Sequence, residues 1–367
     1  MKVMIVNERP IHYRVDLFNM LAKELGEKLS FCFVSNQKKP IRDCISVYHN
    51  EPFLKNARFF QSGSIMSRNI KALYYIIQNK PDIIIAGGLP LNVIFFLLYS
   101  KIYNKKVITW WSGTILSEKI SLAKTLYRKL LIQQLDGAIT YSTLATQYLR
   151  NLSPSFENSR TIGNNTLNVS LYQKKVHTAY VSPSSKRPTV TIITVAFLTK
   201  SKNILTLLRV FNNLSKVKSH LKLVIIGEGP ELKQLQEYAN HHHLSSSVVF
   251  KGFTTPDKMP AEYAAANIYV HPSLLDRWPQ TFNEASAASL PIILSTTSGV
   301  CNKYTELYGK EVLFAPKDTK GLEKILSRLI DDEALRYRLG SEAYKFASQN
   351  DCQVVAERII TYLSSIL

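Results

Sequence analysis

The stretch 267–298 most constrains the fold, because it passes from a strand pattern to a helix pattern and back. Residues 268–270 are an apolar run typical of a strand, and Pro272 ends that strand because proline cannot donate to its ladder. We predict a short helix over 282–289, with Thr281 as its N-cap, and a second strand after it. Strand, loop, helix and strand in this order predict one unit of a parallel sheet covered by helices.

Two acidic side chains, Asp276 and Glu284, flank the loop and the helix start of this unit. Open α/β sheets bind ligands beyond the C-terminal ends of their strands, and helix N-termini bind anions. From His271 to Ser295 the residues resemble the donor-site signature of the retaining GT-B glycosyltransferases of family 4, with seven residues between the two acids. The chain departs from that signature in having Asp276 where glutamate is usual, and Arg277-Trp278-Pro279 in place of a glycine-rich loop.

The same alternation of strands and helices runs through the chain of 367 residues, which is long enough for two domains. It predicts an α/β fold with parallel sheets covered by helices on both faces. The resemblance implies the GT-B architecture, in which two Rossmann-like doubly wound domains face a cleft. A segment rich in serine and proline, 181–188, separates the halves. We assign residues 1–180 to an N-terminal acceptor-side domain, 181–345 to a nucleotide-sugar-binding domain, and 346–367 to a helix that crosses back to the first domain.

Positive charge is concentrated in the first half. The formal net charge is +19, and residues 1–180 hold 24 Lys and Arg against 10 Asp and Glu, a balance of +14. Such a basic half indicates an anionic surface or ligand. A helix predicted over 118–134 is either a domain helix with a solvated face or an interfacial helix on anionic lipid. Its basic residues are Lys119, Lys124, Arg128 and Lys129. No recognised nucleic-acid motif accompanies the charge, so we expect no nucleic-acid partner.

The sequence also indicates where the protein works. It contains no apolar run long enough to cross a bilayer, and it begins with a strand pattern rather than a signal peptide. Its cysteines, Cys32, Cys44, Cys301 and Cys352, lack metal-binding spacing. Reduced thiols are typical of the cytosol. We therefore expect a cytoplasmic protein that is peripheral on the inner face of the membrane if its basic half binds lipid.

The resemblance implies a diphosphate-binding loop at the start of the second half. Lys202 and Asn203 match the lysine and asparagine of that loop, and Lys202 would stabilise the leaving diphosphate. Phe197 stands where the family has an arginine that also contacts the diphosphate. Arg277 or Lys200 would have to supply the missing cation.

The resemblance also implies roles around the two acids. Asp276 would hold a hydroxyl of the donor sugar, and Glu284 would bind the ribose hydroxyls. Backbone N–H groups at Thr281 and Phe282 would donate to phosphate or sugar. The predicted donor site is therefore Lys202, Asn203, Gly227, Phe253, Asp276, Arg277, Gln280, Thr281, Phe282 and Glu284.

Acceptor contacts are expected in the first half. The loop after the first strand carries His12 and Arg14, and the corresponding loop of GT-B enzymes meets acceptor or donor. Gly87 and Gly88 end a later strand, where glycine lets a ligand approach the backbone. We take His12, with Asp276 and Lys202, as a candidate catalytic residue. The alternatives stay open: His12 is equally consistent with a surface loop, and the glycine pair with a tight turn.

The sequence therefore predicts a retaining glycosyltransferase that moves a sugar from a nucleotide-diphosphate sugar to a saccharide or lipid-linked acceptor, in bacterial capsule, O-antigen or exopolysaccharide synthesis. No nucleophile and no acidic metal pair stand out, so we expect same-face displacement without a metal or other cofactor. Two alternatives remain, a GT-B nucleotide-sugar epimerase or hydrolase and a non-catalytic binder of anionic surfaces. The sugar, nucleotide, acceptor, pathway and oligomeric state cannot be predicted from these residues.

Overall fold

The computed structural model describes residues 1–10, 12–35, 51–115, 117, 121–179 and 189–367. Lys119 and the predicted linker 181–188 lie outside the described residues. The chain forms two compact units, Met1–Asn168 with Asp351–Leu367, and Val169–Asn350. Each unit is built around its own parallel sheet.

The described strands of the first unit form a seven-stranded sheet in the order β3-β2-β1-β4-β5-β6-β7, and every pairing is parallel. Val3 pairs with Leu29 on one side and with Ile83 on the other. Runs of Ile, Val and Phe form these strands because both faces of the sheet are covered. The strands are β1 Val3–Asn7, β2 Leu29–Val34, β3 Ala57–Phe60, β4 Ile83–Gly87, β5 Lys106–Trp111, β6 Gly137–Thr140 and β7 Ser159–Thr161.

Helices cover both faces of this sheet. Phe18 of one helix packs on Phe31 with ring centroids 5.0 Å apart, whereas the alternate residue Cys32 points into a second core on the opposite face. Four helices, α2 to α5, contribute to that second core. The helices of the unit are α1 Val15–Leu25, α2 Ile65–Asn79, α3 Val93–Tyr103, α4 Leu122–Ile132, α5 Thr143–Leu152 and, at the C-terminus, α14 Cys352–Ser364.

The described strands of the second unit form a six-stranded parallel sheet in the order β10-β9-β8-β11-β12-β13. Ile192, at its centre, pairs with Leu223 and with Ile268. The strands are β8 Val190–Val195, β9 Leu221–Ile226, β10 Val248–Gly252, β11 Ile268–His271, β12 Ile292–Ser295 and β13 Leu313–Phe314. The helices are α6 Val169–Ala179, α7 Ile204–Val217, α8 Leu232–His241, α9 Met259–Ala264, α10 Gln280–Ala287, α11 Cys301–Tyr308, α12 Thr319–Asp331 and α13 Glu333–Gln349.

The units divide at different residues from those predicted. Helix α6 was placed in the first domain by sequence, but it belongs to the second unit, where Tyr172 packs on Tyr263 with ring centroids 6.4 Å apart. At the other end, the first unit resumes at Asp351, and the hydroxyl of Tyr362 donates to the carbonyl of Asn158 at 2.6 Å. Contacts between residues distant in sequence, which no local pattern encodes, decide both boundaries.

Two elements near the start of the chain follow local apolar patterns. The apolar run 3–7 forms a strand, and residues 15–25, whose apolar side chains have helical spacing, form a helix. Ser142 caps α5, because its hydroxyl accepts from the Ala145 N–H at 3.2 Å. Of the described helices, none is long and apolar enough to cross a membrane.

Candidate active site

The candidate site lies at the switch point of the second sheet. Strands β8 and β11 are neighbours there, and the chain leaves them toward opposite ends of the sheet, to β9 and to β12. Loops beyond the carboxyl ends of such a strand pair diverge and leave a crevice, which is where open α/β sheets bind ligands. The loop after β8 carries Lys202, and the loop after β11 carries Asp276.

These two loops meet through an ion pair. Lys202 Nζ donates to Asp276 Oδ2 at 2.5 Å, and both side chains are largely buried. The same carboxylate oxygen lies 3.4 Å from Nε2 of the buried His271. Burial alone would raise the pKa of Asp276, but His271 and Lys202 outweigh burial and hold that pKa well below its usual range. Asp276 is therefore a fixed anion beside a cation.

The loop that carries Asp276 is held rigidly. The Trp278 N–H donates to Asp276 Oδ1 at 3.2 Å, and the buried indole of Trp278 donates to Asn283 Oδ1 at 3.1 Å. The Gly299 N–H donates to the Asp276 carbonyl at 2.8 Å, and a Cβ on Gly299 would lie 1.8 Å from the Arg277 carbonyl oxygen. Only glycine allows that approach. Arg277-Trp278-Pro279 thus replaces a glycine-rich loop with a tryptophan anchor.

The second acid, Glu284, lies close to buried tyrosines. The Tyr263 hydroxyl donates to Glu284 Oε2 at 2.9 Å. Burial raises the pKa of Glu284 to about 7, against the opposing hydrogen bond from Tyr263. Burial and then the charge of Glu284 raise the pKa of Tyr172, so this hydroxyl stays protonated. Near neutral pH, Glu284 therefore exists in both protonation states.

Hydrogen bonds link the surroundings of the two acids. The Tyr269 hydroxyl lies 2.6 Å from Thr281 Oγ1 and 3.3 Å from Nδ1 of His271, which faces Asp276. The Tyr263 hydroxyl, besides contacting Glu284, lies 3.4 Å from the Thr281 carbonyl. The positions of Asp276 and Glu284 are therefore coupled through buried polar groups.

The predicted cap of the helix at Glu284 is wrong. Helix α10 begins at Gln280, with Pro279 as the N-cap residue, rather than at Phe282. Proline fixes its own backbone angle and starts the turn, so Thr281 lies inside the helix and its hydroxyl meets Tyr269. The Phe282 N–H donates to the Pro279 carbonyl at 3.2 Å, and its ring is buried, so Phe282 serves the fold rather than a ligand.

Asn203 has a structural role in place of the predicted contact with the donor. Its amide donates to the carbonyls of Pro272 and Pro316, at 3.0 and 2.9 Å, and its Oδ1 accepts from Thr206 at 2.7 Å. Asn203 also takes a left-handed backbone conformation, with φ of 56°, which asparagine tolerates well. It ties the Lys202 loop to the end of β11 and so positions Lys202.

The remaining donor-side predictions lie around the same edge. Gly227 follows β9, and a Cβ there would lie 1.9 Å from the Ala196 carbonyl oxygen, so glycine is required for backbone packing. Phe253 follows β10 and is exposed. Phe197, at the position of the family's arginine, is 66% exposed, so its ring has not been absorbed into the core. Arg277 is exposed, and Gln280 Oε1 accepts from Asn283 at 2.9 Å.

The structure places the predicted acceptor residues in different surroundings. His12 begins a 3-10 turn after β1, and its side chain lies outside the described set. Arg14 is 4% exposed, stacks on the Trp110 ring at 4.4 Å and donates to the Tyr141 hydroxyl, so we no longer assign it to the acceptor. Burial, opposed by Tyr13, lowers the pKa of Arg14. Gly87 lines a cavity, and Gly88 turns the chain with φ of 85°.

That cavity lies in the first unit and measures about 320 Å³. It opens at the carboxyl ends of β1, β2 and β4, the switch point of the first sheet. Its polar lining includes Asn7, Ser35, Arg68 and Asn92. Arg68 is buried, and its guanidinium donates to the Ser35 carbonyl. Arg68 was missed by sequence reasoning, because no motif surrounds it.

Sequence reasoning missed three other groups at the donor-side edge. His271 is the last residue of β11, and no motif marked it, although a histidine there faces the same edge as the following loop. Tyr263 comes from a short helix with no motif, and its contact with Glu284 spans 21 positions of sequence. Asn283 was overlooked as the partner of Trp278. Within the described ranges, no three His, Cys, Asp or Glu side chains are grouped so that they could hold a metal ion.

Known proteins resemble the part of the chain that contains this edge. Residues 181–346 match the family model described as glycosyl transferases group 1. The alpha-monoglucosyldiacylglycerol synthase of Streptococcus pneumoniae is 26% identical over 178 residues, which are 48% of this chain but only 39% of that protein. Protein CapJ of Staphylococcus aureus is 24% identical over 339 residues, which are 89% of this chain and 77% of CapJ.

Solved structures share the architecture. Anabaena Alr3699/HepE in complex with UDP superimposes with a TM-score of 0.78 at 18% identity, and each chain is covered completely. Sucrose-phosphate synthase from Thermosynechococcus elongatus superimposes with a TM-score of 0.77 at 16% identity, covering 100% of this chain and 99% of that one. Identities this low establish the fold alone. Together with the match of residues 181–346, they show that the chain has the GT-B fold and that residues 181–346 belong to the group 1 glycosyltransferases.

Proposed function

We propose that this protein transfers a sugar, with retention, from a nucleotide-diphosphate sugar to a saccharide or lipid-linked acceptor. The observation that carries the proposal is the Lys202–Asp276 ion pair, held at 2.5 Å at the switch point of the group 1 domain. A cation and an anion fixed side by side suit a ligand that presents a diphosphate next to sugar hydroxyls. Anabaena Alr3699/HepE has been solved in complex with UDP and with UDP-glucose, which supports a donor of this class.

Each charged side chain of the donor site has a different role in binding the donor. Lys202 binds the diphosphate and stabilises the charge that develops on it as the glycosidic bond breaks. Asp276, kept ionised by His271 and Lys202, accepts a hydrogen bond from a hydroxyl of the sugar. Glu284 binds the ribose as a carboxylate. Arg277, which is exposed and follows Asp276 in the chain, supplies the second cation, because Phe197 stands where the family has an arginine.

The transfer reaction then depends on how the protein positions the reacting groups. The acceptor hydroxyl attacks from the face that the leaving diphosphate vacates, and a phosphate oxygen takes its proton. Lys202 and the start of α10 stabilise the leaving group without moving, because Asn203 and Trp278 fix their loops. Preorganisation of this kind acts on the barrier, since the groups need no rearrangement when charge develops.

The acceptor side uses the cavity of the first unit. Its lining combines Gly87, whose backbone a ligand can approach, with the polar groups of Arg68 and Asn92. Arg68 Nε and Asn92 Oδ1 are buried, and no hydrogen-bond partner for either occurs among the described residues. Buried polar groups of this kind are normally satisfied. Saccharide hydroxyls would satisfy both atoms.

The setting we propose is the synthesis of a bacterial surface polysaccharide at the inner face of the cytoplasmic membrane. The likeness to CapJ along most of its length supports a polysaccharide, and the likeness to a glycolipid synthase supports a lipid-linked acceptor. The basic helix α4, with exposed Lys124 and Lys129, supports an anionic membrane surface. We propose no metal or other cofactor for this reaction.

Mass spectrometry of products tests the proposal. The protein is incubated with a panel of nucleotide sugars, with and without lipid-linked saccharide acceptors, beside its Lys202→Ala variant. We expect one donor to yield an acceptor that is heavier by one sugar, and the variant to yield far less. Turnover of a nucleotide sugar without any acceptor would instead identify an epimerase or a hydrolase. No turnover by the wild type in any combination would contradict the proposal.

A further inference from the structure

Three helices of the first unit carry apolar stripes that face outward. The exposed positions on each helix are three or four residues apart, the spacing that places side chains on one helix face. On α2 they are Met66, Ile70, Tyr74 and Ile77; at α3 they are Leu91, Ile94, Leu98 and Ile102; on α4 they are Leu122, Leu126 and Leu130. Exposure at the centres of the three stripes is 56% for Ile70, 53% for Leu98 and 60% for Leu126.

These stripes are additional to the apolar faces that build the core. Ala72 and Ile76 of α2, Phe96 of α3 and Leu131 of α4 are buried in the core on the inner side of the same helices. A helix on a sheet normally has one apolar face and one polar face. Among the described residues, 14 of the 21 exposed large apolar side chains lie between Ile65 and Leu130. That concentration marks a binding surface rather than scattered exposure.

The three stripes belong to one surface. From β3 to β4, from β4 to β5 and from β5 to β6, the chain crosses between parallel strands in the same direction along the sheet. Such crossovers are right-handed, so α2, α3 and α4 lie on one face of the sheet. Their inner residues share one core cluster, which places them side by side. We call their outward side the three-helix face.

Positive charge borders the three-helix face. None of the three helices contains Asp or Glu, and their exposed cations are Lys71, Lys101, Lys124 and Lys129. The segment 65–134 has ten Lys and Arg against two acids. Apolar side chains fringed by lysine are the pattern of surfaces that lie in the interface of an anionic membrane.

We propose that the three-helix face lies on an anionic lipid bilayer, with its apolar stripes among the upper acyl chains and its lysines at the lipid phosphates. Lipid is favoured over a second copy of the chain, because a symmetric contact would set the same cations against one another. It is also favoured over binding by the basic α4 alone, since α2 and α3 contribute most of the apolar positions.

The face also leads to the acceptor cavity, and this step rests on the proposed function. Ile65, which precedes the α2 stripe, and Leu91, the first residue of the α3 stripe, both line that cavity and are 66% and 73% exposed. The apolar surface therefore continues to the rim of a polar pocket that contains Arg68. An acceptor with a lipid carrier fits this arrangement, with its carrier in the bilayer and its saccharide in the cavity.

Vesicle flotation tests the proposal. We compare wild type with the triple variant Ile70→Ser, Leu98→Ser, Leu126→Ser, which changes one exposed position on each helix. The matched control, Leu171→Ser, Val217→Ser, Tyr337→Ser, removes three exposed apolar side chains from the second unit. Vesicles contain phosphatidylglycerol with phosphatidylcholine, or phosphatidylcholine alone. Thermal unfolding verifies that both variants fold, and calorimetry with UDP reports on the donor site independently of lipid.

Wild type and control should float with the anionic vesicles, and the triple variant should partition at least about tenfold less, because three apolar contacts with lipid are lost. High salt should weaken wild-type binding without abolishing it. The proposal is overturned if wild type does not float, if the triple variant floats like wild type, or if the triple change instead dissociates a wild-type dimer. Flotation without UDP binding would refute the proposed donor site and leave the membrane surface standing.

Discussion

The two sheet edges of this protein have the same topology and different chemistry. In both units the first strand, β1 or β8, pairs with the strand from which the chain begins to run toward the other end of the sheet, β4 or β11. Each sheet therefore has a switch point. At the second unit's edge, Lys202 and Asp276 form a fixed ion pair, and the nearby Glu284 has a pKa raised to about 7. At the first unit's edge, buried Arg68 and amide side chains meet the exposed Ile65 and Leu91. Topology thus determines where a ligand binds, and the side chains there determine which ligand it is.

The largest expected effect is at the charged edge. Lys202→Ala should lower turnover about a hundred- to a thousand-fold, because one preorganised cation is removed from the leaving diphosphate. Steady-state assays measure this loss of turnover, with the donor that mass spectrometry identifies. Lys222→Ala removes an exposed lysine from the start of β9 and should leave turnover unchanged. Equal losses in the two variants would indicate an effect of net charge rather than of the site.

A double-mutant cycle then sharpens the assignment of Arg277. Strong non-additivity between Lys202→Ala and Arg277→Ala would mean that both cations act on one diphosphate. Additive effects with little loss from Arg277→Ala would leave Lys202 as the working cation and would remove Arg277 from the site.

The next largest effect concerns Glu284. Glu284→Ala should weaken UDP binding by about one to two orders of magnitude, because a charge-assisted hydrogen bond to the ribose is lost. Calorimetry measures it, with Glu237→Ala as the control, since Glu237 belongs to an exposed ion pair with Lys233. Unchanged affinity in the Glu284 variant would place the nucleotide elsewhere.

A change of pH should have a smaller effect on the affinity for UDP. The pKa of Glu284 is raised to about 7, so the carboxylate that binds ribose becomes populated as pH rises through neutrality. UDP affinity of the wild type should therefore rise about tenfold from pH 6 to pH 8, relative to Glu284→Gln, which cannot titrate there. Stability should change in the opposite direction, because a raised carboxyl pKa stabilises the fold at low pH and that contribution is lost on passing pH 7. A wild-type affinity profile parallel to that of Glu284→Gln would contradict this role.

The donor-side edge could be predicted because its signals are local. The strand before Pro272, the two acids and the alanine-rich helix lie within one short stretch, and hydrophobic periodicity gave the surrounding elements. Errors there were also local, as where Pro279 rather than Thr281 starts α10. The role of Asn203 was missed because its partners, Pro272 and Pro316, are distant in sequence.

The first unit could be predicted only as a fold. Arg14 became a buried residue because Trp110 and Tyr141, which are 96 and 127 positions away, close around it. The cavity gathers residues from β1, β2, β4 and two helices, and none carries a motif. Strand β3 forms at Ala57–Phe60 by pairing with β2, and no local pattern predicted it. Long-range packing, which no window of sequence contains, produced each difference.

Hydrogen exchange with bound UDP tests the central claim most directly, because it reports on both edges at once. Peptide-resolved exchange is measured by mass spectrometry with and without UDP. We predict protection of the Lys202 loop and of residues 274–284, where the N–H groups of Leu274 and Trp278 anchor the site, and no protection at the cavity residues Arg68 and Gly87. Protection at the first unit's edge, with the Lys202 loop unchanged, would contradict the assignment of the donor to the second unit.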